Sequence, residues 1–265
     1  MADRFDAIRN LIDVQRLEQI RLFVVGLGRV GMAFVCLAIH HGISSFCLID
    51  PDVVSARNFA SGFSEEAVGQ WKAAYAEADL KRRRKDLNIG VASLALTLED
   101  LSYFHTCLAW CTHVAFFADA FGIVTELVKV AYPVRPCLYA ALLDRGQIAE
   151  AAWSAPGKTP CLNCTARLFE KQGVSGGETL LVDVSATVNV AVRQFLGLCL
   201  AGPYTGFELF QPFVNPHYCL AYVINGPSVF ISMPRADTPC GVRLVEVVDE
   251  HGRGPSCSTC QGYRP

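Results

Sequence analysis

The sequence predicts an α/β protein: a doubly wound, mostly parallel sheet continued by an antiparallel C-terminal part. Three observations predict it. Strand-length apolar runs alternate with helix-patterned segments through the first 150 residues. A glycine-rich turn joins the first of these strands to the first core helix. The second half then changes to loop, long apolar helix and hairpin signals.

The elements follow in order. Residues 3 to about 20 are expected to be helical. The apolar run Leu22–Val25 is a strand; a helical pattern and a second apolar run ending at Asp50 complete a βαβ unit over 21–50. Residues 51–63 are a loop, and Ser64-Glu65-Glu66 opens a helix running to about Arg84. Strands are expected at 91–97, 114–117, 137–143 and 147–153. A helix lies at 120–131, and Asp144-Arg145-Gly146 is a turn. After the loop 155–160 comes the stretch 161–169, then a glycine-rich crossover at 173–177. A strong apolar helix spans 182–200. A hairpin spans 217–232 with Asn225-Gly226 at its turn, a pair suited to the type I′ geometry.

The βαβ unit carries the most chemistry. Strand one ends in Gly26-Leu27-Gly28-Arg29-Val30-Gly31, and Asp50 follows Gly31 by nineteen residues. This is the spacing of a Rossmann-like nucleotide-binding unit. Glycines let the chain turn tightly and let backbone N–H groups approach a phosphate, where the helix N-terminus adds partial positive charge. A carboxylate at the tip of strand two can accept hydrogen bonds from ribose hydroxyls. The residues therefore point to an adenine nucleotide; the glycine motif alone would suit NAD.

Composition bounds the rest. The 265 residues are 52% hydrophobic and 18% charged, with a net charge of −2. That gives ample material for a core and leaves a buried oligomer interface expected; no nucleic-acid or membrane partner is indicated. Residues 1–21 carry charges throughout and no secretory apolar core, so the chain is expected in the cytoplasm. Of twelve cysteines, Cys36, Cys47, Cys107, Cys111, Cys137, Cys199 and Cys219 stand singly in apolar runs and read as reduced core residues. Cys161-x-x-Cys164 and Cys257-x-x-Cys260 differ. Each pair puts two thiolates on one tight turn, half of a tetrahedral Zn2+ site. Ninety-two residues separate the pairs, so such a site would tie the C-terminal tail to the middle of the chain. It would be structural and closed. A redox CxxC is the alternative for either pair.

Together these features resemble the ThiF/MoeB-type adenylyltransferases, relatives of the ubiquitin-activating enzymes, over nearly the whole chain. Gly26, Gly28 and Gly31 match the family's nucleotide loop; Asp50-Pro51-Asp52-Val53-Val54 matches its D-x-D-x-V. Asn58-Phe59 matches N-L, Gly69-Gln70-Trp71-Lys72 matches G-x-x-K, and Gly146-Gln147-Ile148 matches a later strand. The resemblance implies one ThiF-type adenylation domain over 1–265: an N-terminal helix at 1–20, a nucleotide-binding half at 21–155, and a zinc and carrier-binding half at 156–265. It implies an AMP-forming enzyme using ATP, Mg2+ and Zn2+. A C-terminal glycine carboxylate of a ubiquitin-like or sulfur-carrier protein would attack the α-phosphate, giving acyl-AMP and pyrophosphate. Asp50 would hold the ribose, with Asp52 and Asn58 beside it. Lys72 would neutralise the departing pyrophosphate, and Asp119 would hold Mg2+. A homodimer, or a heterodimer with a related chain, is implied.

The chain departs from the family in two places. The family motif continues N-L-x-R-Q, with an arginine on the ATP phosphates; here the chain reads Asn58-Phe59-Ala60-Ser61-Gly62-Phe63, and Arg57 precedes it. Relatives borrow a second arginine from the partner's N-terminal segment, for which Arg4 and Arg9 stand here. The crossover at 173–177 has no thioester-forming cysteine; Cys199, Cys219 and Cys240 lie elsewhere. Competing readings are a non-catalytic adenylation-like scaffold subunit, adenylation of a peptide or small acid, and an NAD-dependent oxidoreductase. Lys81-Arg82-Arg83-Arg84-Lys85 reads as a solvated helix end or, more sharply, as a docking patch for an acidic partner. His40 and His41 read as capping residues at the end of the first core helix.

Overall fold

Alternating burial along short apolar strands organises the molecule, here in a computed structural model that describes residues 4–61, 63–94, 101–143, 148–166, 181–214, 220–224 and 241–245. On β1 (Arg21–Val25), Leu22 and Val24 enter one core while Phe23 and Val25 enter the other. β2 (Ser45–Ile49) divides in the same way, with Phe46 and Leu48 on one face and Cys47 and Ile49 on the other. A strand apolar on both faces must be covered on both, which is why the sheet lies between two helical layers. With β3 (Asn88–Ala92), β4 (His113–Phe116), β5 (Cys137–Leu143), β6 (Ile148–Ser154), β7 (Leu220–Ile224) and β8 (Gly241–Val245), the order is β3-β2-β1-β4-β5-β6-β7-β8. The pairs from β3 through β5 are parallel and those from β5 through β8 antiparallel, as the sequence predicts.

One layer consists of α1 (Val14–Glu18), α2 (Arg29–His40), α3 (Lys72–Arg83) and α7 (Leu181–Leu200); the other of α4 (Leu101–Trp110), α5 (Phe121–Ala131) and α6 (Leu162–Thr165). The short α8 (Phe207–Phe210) closes the end of α7. α2 buries Val30, Phe34, Val35, Ala38 and Ile39 on one stripe. It stops where Gly42 takes a positive φ of 110°, and His41 Nδ1 donates to Leu37 O, the expected capping role. Among the described residues no helix is long and apolar enough to cross a membrane.

α2 can lie close to β1 because of two glycines. Gly26 sits at φ 95°, and a side chain there would meet Ala118 N at 2.6 Å. A Cβ on Gly31 would stand 2.1 Å from Gly26 O. The helix and the turn beneath it are therefore in backbone contact.

Several expectations are corrected. The helix expected over 3–20 is a run of turns followed by α1, because the Asp13 carboxylate accepts from Arg16 N and starts a helix there. Residues 56–61 of the expected loop form a 3-10 helix. The helix expected from 64 to 84 is broken: a 3-10 turn at Glu65–Ala67 leads to Gly69 at φ 89°, and α3 begins only at Lys72. β3 starts at Asn88 rather than at 91, and residues 95–97 lie outside the described residues. α4, not foreseen, buries Phe104, Cys107 and Leu108 at helical spacing. α6 holds the first CxxC. The expected hairpin partner of β7 is displaced: both edges of β7 are paired, by β6 and by β8. The Asn225-Gly226 turn, the 144–146 turn and the 173–177 crossover lie outside the described residues.

The basic run at the end of α3 is largely matched by the chain's own acids. Lys81 pairs with Glu77 at 2.6 Å, and Arg82 and Arg83 with Asp79 at 3.0 and 2.8 Å. Arg84 is buried; it bonds Asp86 and donates to Ile39 O and Ile43 O, which closes the end of α2. This arrangement opposes the docking-patch reading. Arg84 and Arg4 hold the Asp86 carboxyl down at about 2.

Two predictions follow from this packing. Gly31→Ala gains about 1 kcal/mol of helix propensity but drives a methyl into a carbonyl that cannot swing away. A net loss of roughly 1–3 kcal/mol is expected in urea unfolding, and a gain would refute the contact. His113 lies edge-on to Phe195 at 5.7 Å, with Nε2 4.0 Å from Cys199 Sγ. Burial, with Arg16 and Arg135 adding, pushes its pKa down from 6.5 to about 3. A depressed folded pKa gives stability that is present above about 6.5 and lost as pH falls toward 3. Unfolding free energy should drop by up to about 2 kcal/mol between pH 7 and pH 5. His113→Gln should remove that part of the drop; an unchanged pH dependence in the variant contradicts the assignment.

Candidate functional site

Strand order reverses direction between β1 and β4, and the crevice beyond their C-terminal ends is where open α/β sheets bind ligands. The glycine loop leaves β1 there. Gly28 is the N-cap of α2, supplies no side-chain cap, and has nothing within 4 Å of the position its Cβ would take. Gly26 and Gly31 are thus packing glycines and Gly28 faces space. An uncapped helix N-terminus beside open space is suited to an anion.

Asp50 ends β2 beside this loop. Its Oδ2 accepts from Leu27 N at 2.6 Å, and its Oδ1 accepts from Asp52 N at 2.9 Å. The side chain is only 5% exposed. Burial pushes the Asp50 carboxyl above its ordinary range. The Lys72 ammonium and the N–H groups of Leu27 and Asp52 pull it down, and the Asp52 charge adds to the rise.

Lys72 reaches this carboxylate because α3 starts late. Gly69 N donates to Val54 O, Val54 N donates to Gln70 O, and Val53 bridges Trp71. The chain after Asp52 is thereby stitched to the residues just before α3. Lys72, the first residue of α3, puts its Nζ 2.6 Å from Asp52 Oδ2 and 3.7 Å from Asp50 Oδ1. Its side chain is 9% exposed, whereas that of Asp52 is 62% exposed. One ammonium is therefore shared between a buried and a solvent-facing carboxylate. Sequence reasoning named all three residues but missed this pairing and the Leu27 N–H bond; both depend on backbone stitching with no motif of its own.

Asn58 has another local job. Its Oδ1 accepts from Ser55 N at 2.9 Å and from Ser55 Oγ at 3.1 Å, which folds the loop after Asp52. Asp119 follows β4 next to Ala118, whose backbone packs against Gly26. It is exposed, and among the described residues its carboxylate has no hydrogen-bond or ion-pair partner. The N-cap of α5 is Ala120, so Asp119 is not the helix cap. The structure thus gathers Gly26, Gly28, Gly31, Asp50, Asp52 and Lys72 around one loop, with Asp119 on the neighbouring strand end.

Arg4 is bound to Asp86 at 2.6 Å, ahead of β3 and so at the opposite end of the sheet from the crevice. Arg57 is exposed within the 3-10 helix.

Cys161 caps α6 and Cys164 lies on its single turn, both buried; Cys164 N donates to Cys161 O at 3.0 Å. Cys257 and Cys260 lie outside the described residues, as does Cys240. Among the described residues no group of three or more His, Cys, Asp or Glu could hold a metal. Of the expected zinc site, the described residues include Cys161 and Cys164, two thiols on one turn.

Comparisons with known proteins bear on the fold and the family. A search of curated proteins finds no match. Solved structures of similar fold include E. coli MccB with succinimide, at a TM-score of 0.68 and 16% identity, covering 94% of this chain and 68% of that one. E. coli MccB with ATP aligns at a TM-score of 0.66 and 18% identity, over 93% and 68%. The microcin C7 biosynthetic enzyme MccB with N-formylated MccA aligns at 0.66 and 17% identity, over 93% and 69%. The ThiF family profile matches residues 5–202, and the chain belongs to the ThiF family.

Proposed function

We propose that this chain is an AMP-forming adenylyltransferase that activates the C-terminal carboxylate of a polypeptide with ATP. The observation that carries the reading is the Lys72 ammonium, shared by Asp50 and Asp52 beside a glycine loop whose Leu27 N–H is bonded to Asp50. Asp50 would accept from the ribose hydroxyls, and the α2 N-terminus would face the phosphates. Lys72 would exchange its Asp52 contact for the phosphate oxygens. Exposed Asp119 fits a hard cation, and Mg2+ held there would neutralise phosphate charge. In the reaction, a carboxylate oxygen attacks the α-phosphorus, the bond to the bridging oxygen breaks, and pyrophosphate leaves. The products are acyl-AMP and pyrophosphate. The protein's contribution is positioning and charge neutralisation.

Two sources of the carboxylate are supported. Family membership favours the terminal glycine of a ubiquitin-like or sulfur-carrier protein, with the chain working as a homodimer or beside a related chain. The fold shared with MccB, which has been solved with ATP and with MccA, favours a peptide terminus instead. A scaffold subunit without activity is the reading that the absent N-L-x-R-Q arginine favours. We also place Zn2+ on Cys161, Cys164, Cys257 and Cys260, because Cys161 and Cys164 share one helical turn.

Carboxylate-dependent exchange of labelled pyrophosphate into ATP tests the activity. Exchange is expected with the right carboxylate donor, and Asp119→Ala should lower it at least about 100-fold with the fold intact. Undiminished exchange in that variant removes Asp119 from the site, and absence of exchange with every carrier and peptide tried favours the scaffold. Zinc should be recovered at one per chain and lost in Cys257→Ser; equal zinc in both proteins would refute the four-cysteine site.

A further inference from the structure

The sheet face covered by α4, α5 and α6 holds thiols that adenylation does not use. Cys47 on β2 and Cys107 on α4 stand with their sulfur atoms 3.3 Å apart. The Tyr103 hydroxyl, four residues before Cys107 on the same helix face, lies 4.0 Å from Cys47 Sγ. A thiol and a hydroxyl from α4 thus both meet one sulfur from β2. Cys47 and Cys107 are buried, at 8% and 5% exposure, so a small oxidant rather than a bulky one suits them; Cys137, Cys161 and Cys199 are wholly buried.

The pair is asymmetric. Donation from Cys107, against the opposing effect of burial and with help from Tyr103, draws the Cys47 thiol below its ordinary pKa. The bond to Cys47, burial and the Cys47 charge push the Cys107 thiol up. Cys47 is therefore the sulfur suited to act as nucleophile and Cys107 the one that keeps its proton until later.

We propose that Cys47 and Cys107 are a reversible oxidation site, at which a small hydroperoxide converts the two thiols to a disulfide joining β2 to α4. The Cys47 thiolate attacks a peroxide oxygen; an S–O bond forms, the O–O bond breaks, and the departing alkoxide or hydroxide takes a proton. The Cys107 sulfur then attacks the sulfenic sulfur; the S–S bond forms, the S–O bond breaks, and the hydroxyl leaves as water with the Cys107 proton. Two thiols and one hydroperoxide give one disulfide, one alcohol or water, and one further water. Closing the sulfurs to bonding distance takes a shift of only about 1 Å. The crosslink would lie three residues before Asp50, in the strand that delivers the site carboxylate.

The test is hydrogen peroxide treatment of the reduced, folded chain. Remaining thiols are then alkylated in denaturant and the peptides mapped by mass under non-reducing conditions. The expected result is one linked Cys47–Cys107 peptide pair, two hydrogens lighter than the reduced peptides and released by dithiothreitol. Cys107→Ser should leave Cys47 as a sulfenic acid that dimedone traps, and Cys47→Ser should leave Cys107 alkylated. Circular dichroism before and after treatment reports whether the fold persists. Recovery of both cysteines alkylated, linkage of Cys47 to a different cysteine, or linkage only once the fold is lost would overturn the proposal.

Discussion

The candidate site depends on one buried carboxylate. Desolvation raises the pKa of the Asp50 carboxyl, and three groups oppose that rise: the Lys72 ammonium, Leu27 N–H and Asp52 N–H. Each belongs to a different segment: the first turn of α3, the glycine loop, and the chain after β2. Because a buried charge without partners is far costlier than a buried charge with them, the carboxylate holds these segments in register. The glycine loop is pinned to β2, and α3 is pinned over both. The backbone approach of Gly31 to Gly26 completes the arrangement from the side of α2.

The same contacts fix the geometry of the candidate site. Lys72 is oriented by them, and its closest partner is the solvent-facing Asp52 rather than the buried Asp50. In the proposed reaction a phosphate group would replace Asp52, the exposed partner, on the Lys72 ammonium. Asn58, expected to touch the cofactor, is occupied in folding the loop through Ser55. Asp119 stands exposed beyond β4, where a cation could be shared with an incoming phosphate.

The β1–α2–β2 unit was legible in the sequence because three signals agree there: strand-length apolar runs, glycines at a tight turn, and a carboxylate at the right distance. The strands at 137–143 and 148–154 and the long helix α7 were legible through length and apolar content alone. The start of α3 was not, because Ser64-Glu65-Glu66 looks like a helix opening while Gly69 adopts a positive φ and breaks the pattern. α4 escaped notice because its buried residues, Phe104, Cys107 and Leu108, are few and follow no clear cap. The Cys47–Cys107 contact was hidden for the same reason, since it needs α4 in place. The partner of β7 was misread because an Asn-Gly pair signals a tight hairpin, whereas sheet pairing brings in residues 241–245 from further along the chain. Family membership was legible because its motifs sit on chemically demanding positions. The substrate was not legible, because none of the matched motifs at residues 26–31, 50–54 or 69–72 carries a signal for it.

Calorimetric titration of the purified chain with ATP and Mg2+, and separately with NAD, tests the central claim most directly, with Asp119→Ala as the control. The account predicts saturable ATP binding that weakens in the variant and no comparable binding of NAD. Preference for NAD, or failure of the chain to bind ATP under any condition that preserves the fold, would contradict it.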